Sequence, residues 1–544
     1  MKKSVLLASL GLAVGMAGLS SCKDYLDTKP EDFVAPQDFY KTEAQLTAAL
    51  MGVYTKLGQE VTYTGSTEES TYSRFLSLEA PSATDEMLAR SNTTPAVSQY
   101  GYDASYGNLV NCWGNLYEAI NRANVLLESL DRSTATAAVK DQIRGEALFL
   151  RAYYHFVLVS YWGDVPLKLT STQAATDVNI ARTPAAQVYT QVIKDMTTAE
   201  GLLKNGADWG NSGRISKTAA EGILCRVNMY AAGRLKDASK YADARTWALK
   251  VMNSGQHGLN PDYSQIFKNE LADVYELREA MWEVEFNGTG VGSIYNEAGR
   301  FGSTLGVRND IADKGFMQGT YVATGVQYAL YGTGDLRRDW NIATYYYPSY
   351  DATKGPTAYA STYTWGRYIN KWRRENETYR PYAKNLGPTN WPLLRYADVL
   401  LMFAEADNEV NGAPTAAGVA AINQVRRRAY GLPIATPSAT VDVPASLSKT
   451  DFFNRIKDER ARELAFEGFR KLDLLRWGIF LTTMKAMIPI ISTQAPSSSN
   501  NALGYNGRTS SLVPYQNVSA RDEYFPIPSN ELSLNSAMTQ NPGW

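Results

Sequence analysis

Histidine is nearly missing from this chain, and cysteine is scarce. Two histidines, His155 and His257, and three cysteines, Cys22, Cys112 and Cys225, serve 544 residues. A zinc site or a histidine-based hydrolase has almost no material to draw on. Cys112 and Cys225 each sit within a helical pattern with no metal-type ligand beside them, which points to buried free thiols. Neither sign of charge prevails: 54 Lys and Arg face 55 Asp and Glu, a net −1. A nucleic-acid partner requires a basic face, and none is evident. After the first 21 residues no long apolar run recurs, so the body is expected to sit in water. H-E-x-x-H and G-x-S-x-G are missing, and Gly288-Thr-Gly-Val-Gly292 completes no phosphate loop. These gaps argue against an enzyme, a metal and an organic cofactor.

What is present begins at the N-terminus. Lys2 and Lys3 precede an apolar run from Val5 to Leu19, which closes on Ser20-Ser21-Cys22. A basic start, a greasy middle and small residues at the cut make a secretory signal over residues 1–21. The cysteine directly after the small residues resembles the lipobox of bacterial lipoproteins. Lipidation of Cys22, by palmitate-type chains, anchors the mature chain to a membrane at about 0.8 kcal/mol for each buried methylene. An ordinary signal peptide or a membrane helix is the alternative. The run is short for spanning, and Gly11, Gly15 and Gly18 interrupt it.

Residues 22–35 are polar and proline-punctuated, a lipidated tether. Helical spacing then appears at 36–57, through 108–254 and from 392 to 482. The stretch Ala147–Val159 is apolar on every side, as befits a helix buried among others. Two Gly-, Ser- and Tyr-rich regions, 58–107 and 255–390, read as loops, with one strand-like run at Met281–Phe286. An irregular tail follows over 484–544. The expected fold is all-α: tetratricopeptide-like hairpins, a long irregular insertion and little β-structure.

Four stretches carry a family resemblance. They are Arg144-Gly-Glu-Ala-Leu-Phe-Leu-Arg-Ala-Tyr-Tyr-His-Phe running on to Tyr161–Leu167, Leu394–Glu405, Glu459–Trp477, and Tyr524-Phe-Pro-Ile-Pro with the closing Gln540-Asn-Pro-Gly543. Together they resemble the SusD/RagB family of outer-membrane nutrient-binding lipoproteins, over essentially the whole mature chain. The resemblance implies one domain over 36–544, a lipid anchor in the outer membrane facing the cell exterior, and a SusC-like TonB-dependent transporter as partner. It implies non-catalytic capture of oligosaccharide or polysaccharide. A secreted glycoside hydrolase and a protein-binding helical scaffold are the competing readings.

A sugar offers apolar C–H faces and a rim of hydroxyls, so aromatic planes beside Arg, Asn and Asp suit it. Thirty-five tyrosines and 11 tryptophans against 16 phenylalanines favour rings with a polar handle. Two loop regions hold the mixture. The first has Asp85, Arg90, Asn92, Gln99, Tyr100, Tyr102 and Tyr106. The second has Tyr295, Asn296, Arg300, Tyr321, Trp340, Tyr345, Tyr346 and Tyr347. Ligand is expected between them, with Tyr100, Tyr102 and Trp340 stacking and Arg90 donating to hydroxyls. Trp113, Trp282 and Trp477 are read as core, and His155 as a hydrogen-bonded core histidine. Arg460, Glu463, Glu467, Arg470, Asp473 and Arg476 recur every three or four positions. Arginines beside Glu463 and Glu467 would lower their pKa, so the pair reads as a structural ladder rather than an acid/base couple.

Overall fold

Threonine and serine caps start many of the helices, because their side-chain oxygens accept orphan N–H groups of the first turn. Thr42 forms a capping box with Gln45 at α1 (Glu43–Tyr54). Thr136 opens α3 (Ala137–Trp162), which packs between α2 (Gly107–Ser129) and α4 (Ala185–Glu200). Ser216 opens α5 (Lys217–Arg234), paired with α6 (Lys240–Asn253). α7 (Tyr263–Ala272) follows, then short helices α8 (Phe301–Thr304), α9 (Gly325–Leu330) and α10 (Arg337–Asn341). The late block holds α11 (Tyr396–Asn411), α12 (Ala416–Ala429), α13 (Lys449–Glu463), α14 (Arg470–Arg476) and α15 (Phe480–Gln494). α16 (Arg508–Asn517) and α17 (Ser529–Leu534) close the chain. This computed structural model describes residues 39–58, 60–61, 67–68, 71–90, 96–174, 179–287, 299–382, 384, 386–500 and 503–544. The signal segment 1–21, Cys22 and the tether 22–35 lie outside them.

The all-α expectation holds, with antiparallel helix neighbours α2/α3, α3/α4, α5/α6 and α11/α12 packed in tetratricopeptide-like fashion, and α6 joining the early block to α11. α3 is buried all round from Ala147 to Trp162, apart from a half-buried Leu148. Its polar residues are consumed internally: Arg151 pairs with Asp195 at 2.6 Å. The His155 Nδ1–H donates to the Arg151 carbonyl at 2.9 Å, and its Nε2 accepts from the Lys168 N–H. Burial pulls its pKa down to about 4, so it stays neutral. Cys112 and Cys225 are free and buried.

Four antiparallel strand pairs do the work of the loop regions. β1 (Glu60–Val61) pairs with β2 (Thr67–Glu68), and β3 (Met87–Ala89) with β5 (Tyr321–Ala323). β4 (Ala280–Val284) pairs with β8 (Trp391–Arg395), and β6 (Tyr345–Tyr346) with β7 (Thr357–Ala358). The β4/β8 ladder is the neck of the insertion: the chain leaves along one strand and returns along the other. Trp282 and Trp391 lock that neck into the helical core, both at 2% exposure or less.

Some boundaries differ from the sequence reading. The helical spacing read from 392 onward starts as strand β8, whose every residue is buried; a fully buried strand carries no alternation to distinguish it from a helix. Within the 392–482 block the late helical run is broken after Glu463, where Phe466 and Gly468 take positive φ of 67° and 84°. The charged residues from Arg460 to Arg476 therefore lie on two helices and the turn between them, which holds Glu467. The tail is not irregular throughout, since α15 runs to Gln494 and α16 packs on it. Trp477 is half-buried, its indole N–H held by Glu405 at 2.9 Å.

Candidate functional site

The two loop regions singled out from sequence are physically joined. β3 meets β5 in the register Met87↔Ala323, Leu88↔Val322, Ala89↔Tyr321, and the Arg90 N–H extends the ladder to the Thr320 carbonyl at 2.8 Å. Arg90 Nε then donates to the Gly319 carbonyl at 2.9 Å. That fixes its guanidinium 5.9 Å from the centre of the Tyr350 ring, whose other close cation is Arg308 at 3.9 Å. Asp310 takes the outer edge of Arg308 at 3.1 and 3.2 Å.

From Tyr350 an aromatic surface runs along the β6/β7 hairpin. Tyr345 and Tyr347 meet edge to face at 5.5 Å, Tyr346 tilts on Tyr359 at 5.3 Å, and Tyr359 stacks on Tyr363 with ring planes 4° apart. Tyr345, Tyr346, Tyr347, Tyr350 and Tyr363 are all half-buried. Trp340 stands at the flank on α10. Arg373 already covers its ring at 3.9 Å, and both line a cleft of about 490 Å³ with Tyr263, Leu336 and Arg428. Arg373 is held by carbonyls of Asn370, Asp339 and Trp340 rather than by a carboxylate.

Several candidates are core residues instead. Tyr100 is 2% exposed, donates its hydroxyl to the Ala83 carbonyl at 2.9 Å and tilts against Phe480. Tyr102 is packed against Phe525 and Trp544. Neither can stack on a surface ligand, which corrects the expectation for both. Tyr321 is equally buried; Asp85 is tied to Arg470 at 2.6 Å, and the Tyr106 hydroxyl donates to Glu79. Asn92, Tyr295 and Asn296 lie outside the described residues, as does the Gly288–Gly292 stretch. Sequence reasoning missed Arg308, Tyr350, Tyr359 and Tyr363. Their signal was the continuation of the Tyr345–Tyr347 run, where rings recur at 350, 359 and 363.

Glu463 and Glu467 do not form an acid/base pair. Glu463 is fully buried and accepts from Arg428 at 2.7 Å and from Arg395 and Arg337 at 3.0 Å each. Burial alone would raise its pKa, but Arg428, Arg395, Arg337 and Lys371 hold it far below the usual range. Glu467 is bound by Arg395 and by Lys371 at 2.5 Å. The ladder is structural. Glu283 differs: burial lifts it to about 7, and it borders a cavity of about 390 Å³ with Glu285 and Asp273. It is itself 4% exposed and takes the Ser212 hydroxyl. No group of His, Cys, Asp and Glu suited to a metal ion occurs among the described residues.

Comparison with known proteins adds the following. Residues 266–544 match the model of the SusD family, and residues 24–229 match one described as starch-binding, associating with outer membrane. SusD-like protein P25 of Formosa agariphila is 24% identical, covering 96% of this chain and 95% of its own. Starch-binding protein SusD of Bacteroides thetaiotaomicron is 26% identical, covering 98% and 97%. The crystal structure of a SusD homolog from Bacteroides thetaiotaomicron superposes with a TM-score of 0.83 at 27% identity, covering 93% of this chain and 98% of the other.

Proposed function

The chain belongs to the SusD family, and from that premise we propose that it captures glycans at the cell surface without cleaving them. The observation that carries this reading is the tyrosine–arginine face built on the β3/β5 and β6/β7 ladders. Half-buried rings with hydroxyl tips suit pyranose faces, and the arginines beside them suit hydroxyl or charged rims. The starch-binding name of one relative and the outer-membrane description of one matching model support the same reading.

In the full reading, Cys22 carries the lipid, the tether lets the body move, and captured glycan passes to a SusC-like TonB-dependent transporter. Among the earlier candidates, Arg90, Tyr345 and Tyr346 belong to the capture face, Trp340 to its flank. Incubating the protein with a glycan panel tests the proposal: retention without new reducing ends supports capture, and released products support a hydrolase. Co-purification of a large barrel with the lipidated protein tests the delivery step.

The hydrolase alternative has one specific foothold, the raised Glu283 beside Glu285. A glycosidase places its two carboxyl groups across a bound sugar. Here the proton-holding one is closed into the protein and engaged by Ser212, so its burial reads as packing at the neck of the insertion.

A further inference from the structure

Many buried and half-buried arginines in this protein are matched to carboxylates: Arg226 to Asp398, Arg470 to Asp85, Arg476 to Glu405. Others, such as Arg367 and Arg373, are held by backbone carbonyls instead, and Arg90 is of this second kind. It is held by a backbone carbonyl and forms no ion pair among the described residues. Arg308, also on the Tyr350 ring, pairs with Asp310 alone among the described residues. Sharing one ring at 5.9 and 3.9 Å, the two guanidinium groups stand within about 10 Å of each other. Among the described residues, the two cations meet one carboxylate here.

A second, independent feature lies beside them. The Tyr368 hydroxyl is enclosed and has no hydrogen-bond partner among the described residues, although buried polar groups are nearly always satisfied. Tyr368 is 1% exposed, and its ring feels the charges of Arg90, Arg308 and Asp310. The ring is clamped where Gly319 and Gly504 approach it, and a methyl group at Gly319 would crowd it at 2.7 Å. So the hydroxyl is fixed in place with an unmet demand. The surrounding segment is also locally basic. Residues 299–382 hold eleven Lys and Arg against seven Asp and Glu, in a chain of net charge −1.

We propose that Arg90, Arg308 and the Tyr368 hydroxyl form a subsite for the carboxylate or sulfate of an acidic glycan, with Tyr350 as its stacking ring. This rests on the capture reading and narrows its ligand class. Planar guanidinium groups match such oxyanions bidentately and more strongly than they match neutral hydroxyls. The starch-binding relative is only 26% identical, so the ligand class is set by local side chains such as these.

The test is calorimetric titration of the full-length lipoprotein in detergent. The probes are a uronate oligosaccharide, a sulfated oligosaccharide and a neutral glucan of equal length. An acidic probe is expected to bind at least about tenfold more tightly than the neutral one. The advantage should shrink between about 0.05 M and about 0.5 M salt. Which acidic probe wins assigns carboxylate or sulfate. Arg90→Gln and Arg308→Gln should each cost about tenfold on that probe and less on the neutral glucan, so that the preference for the acidic probe collapses. Tyr368→Phe should weaken acidic binding without lowering the melting temperature, because the hydroxyl has no partner among the described residues. Equal or tighter binding of the neutral glucan, or unchanged affinity in both arginine variants, overturns the acidic subsite and leaves capture standing. Failure to bind any of the three overturns capture, and the subsite with it.

Discussion

Glu463→Gln changes one atom's identity and almost no volume, in the most charge-dense part of the interior. The native carboxylate receives three arginines: Arg428 and Arg395 on one oxygen, Arg337 on the other. All four side chains are 1% exposed or less. The amide keeps one acceptor and turns its other end into a donor that must face a guanidinium. At least one charge-assisted bond is lost, worth about 1.5–3 kcal/mol, and a buried positive charge is left uncompensated. Breaking a buried ion pair from one side costs about 3–5 kcal/mol in all. The network also ties helix α13 to the insertion through Arg337 and to its neck through Arg395, so the loss should be global. The assay is urea unfolding at neutral pH, with a lowered midpoint and an unchanged slope. Glu409→Gln is the control, because Glu409 pairs with the half-exposed Lys449 at 2.8 Å and should cost less than about 1 kcal/mol. A Glu463→Gln protein within about 1 kcal/mol of the parent would refute the reasoning. So would one that lost a hydrolytic activity at unchanged stability.

Four further outcomes follow from the same structure. Tyr100→Ala should destabilise by about 3–5 kcal/mol in chemical denaturation, while the folded fraction binds glycan normally, because the ring is core. Gly233→Ala should cost about 1–3 kcal/mol, since the new methyl overlaps the Arg476 carbonyl; a neutral effect on the melting temperature would show that contact to be loose. Burial lifts Glu86 to about 8 from an ordinary 4.5, so its contribution is present below about pH 4.5 and is lost as pH rises towards 8. Glu86→Gln should therefore flatten the fall in urea midpoint between about pH 5 and about pH 8, and an identical slope in both proteins would count against it. Cys22→Ala should release the protein from the membrane fraction or leave the precursor uncut; normal processing and fractionation would reject the lipid anchor.

Much of the frame was readable from periodicity, because α3 and the late helices bury faces that repeat at helical spacing. The break at 464–469 was not. It has no proline, and Phe466 gives no local hint of a positive φ. The capture face was half readable. Tyr100 and Tyr346 both fall in regions that read as loops, yet one is sealed and the other half-exposed. What seals Tyr100 is Phe480, and what seals Tyr102 is Phe525 with Trp544, each supplied by chain several hundred residues away. Local sequence carries no record of that cover. Arg90 stands out in sequence for the aromatics that follow it, but its neighbours Arg308 and Tyr350 come from the far side of the β3/β5 seam. Only the pairing of those strands brings them together.

The central claim is non-catalytic capture of glycan on the tyrosine–arginine face. Its most direct test is isothermal titration of the parent and of a Tyr346→Ala/Tyr350→Ala variant with the best-retained glycan, with the end point assayed for new reducing ends. Removing stacking rings costs about 1–3 kcal/mol each on comparable aromatic platforms. The account predicts binding by the parent without products, and at least about a tenfold loss in the variant at unchanged melting temperature. Parent-like affinity in the variant, or products from the parent, would contradict it.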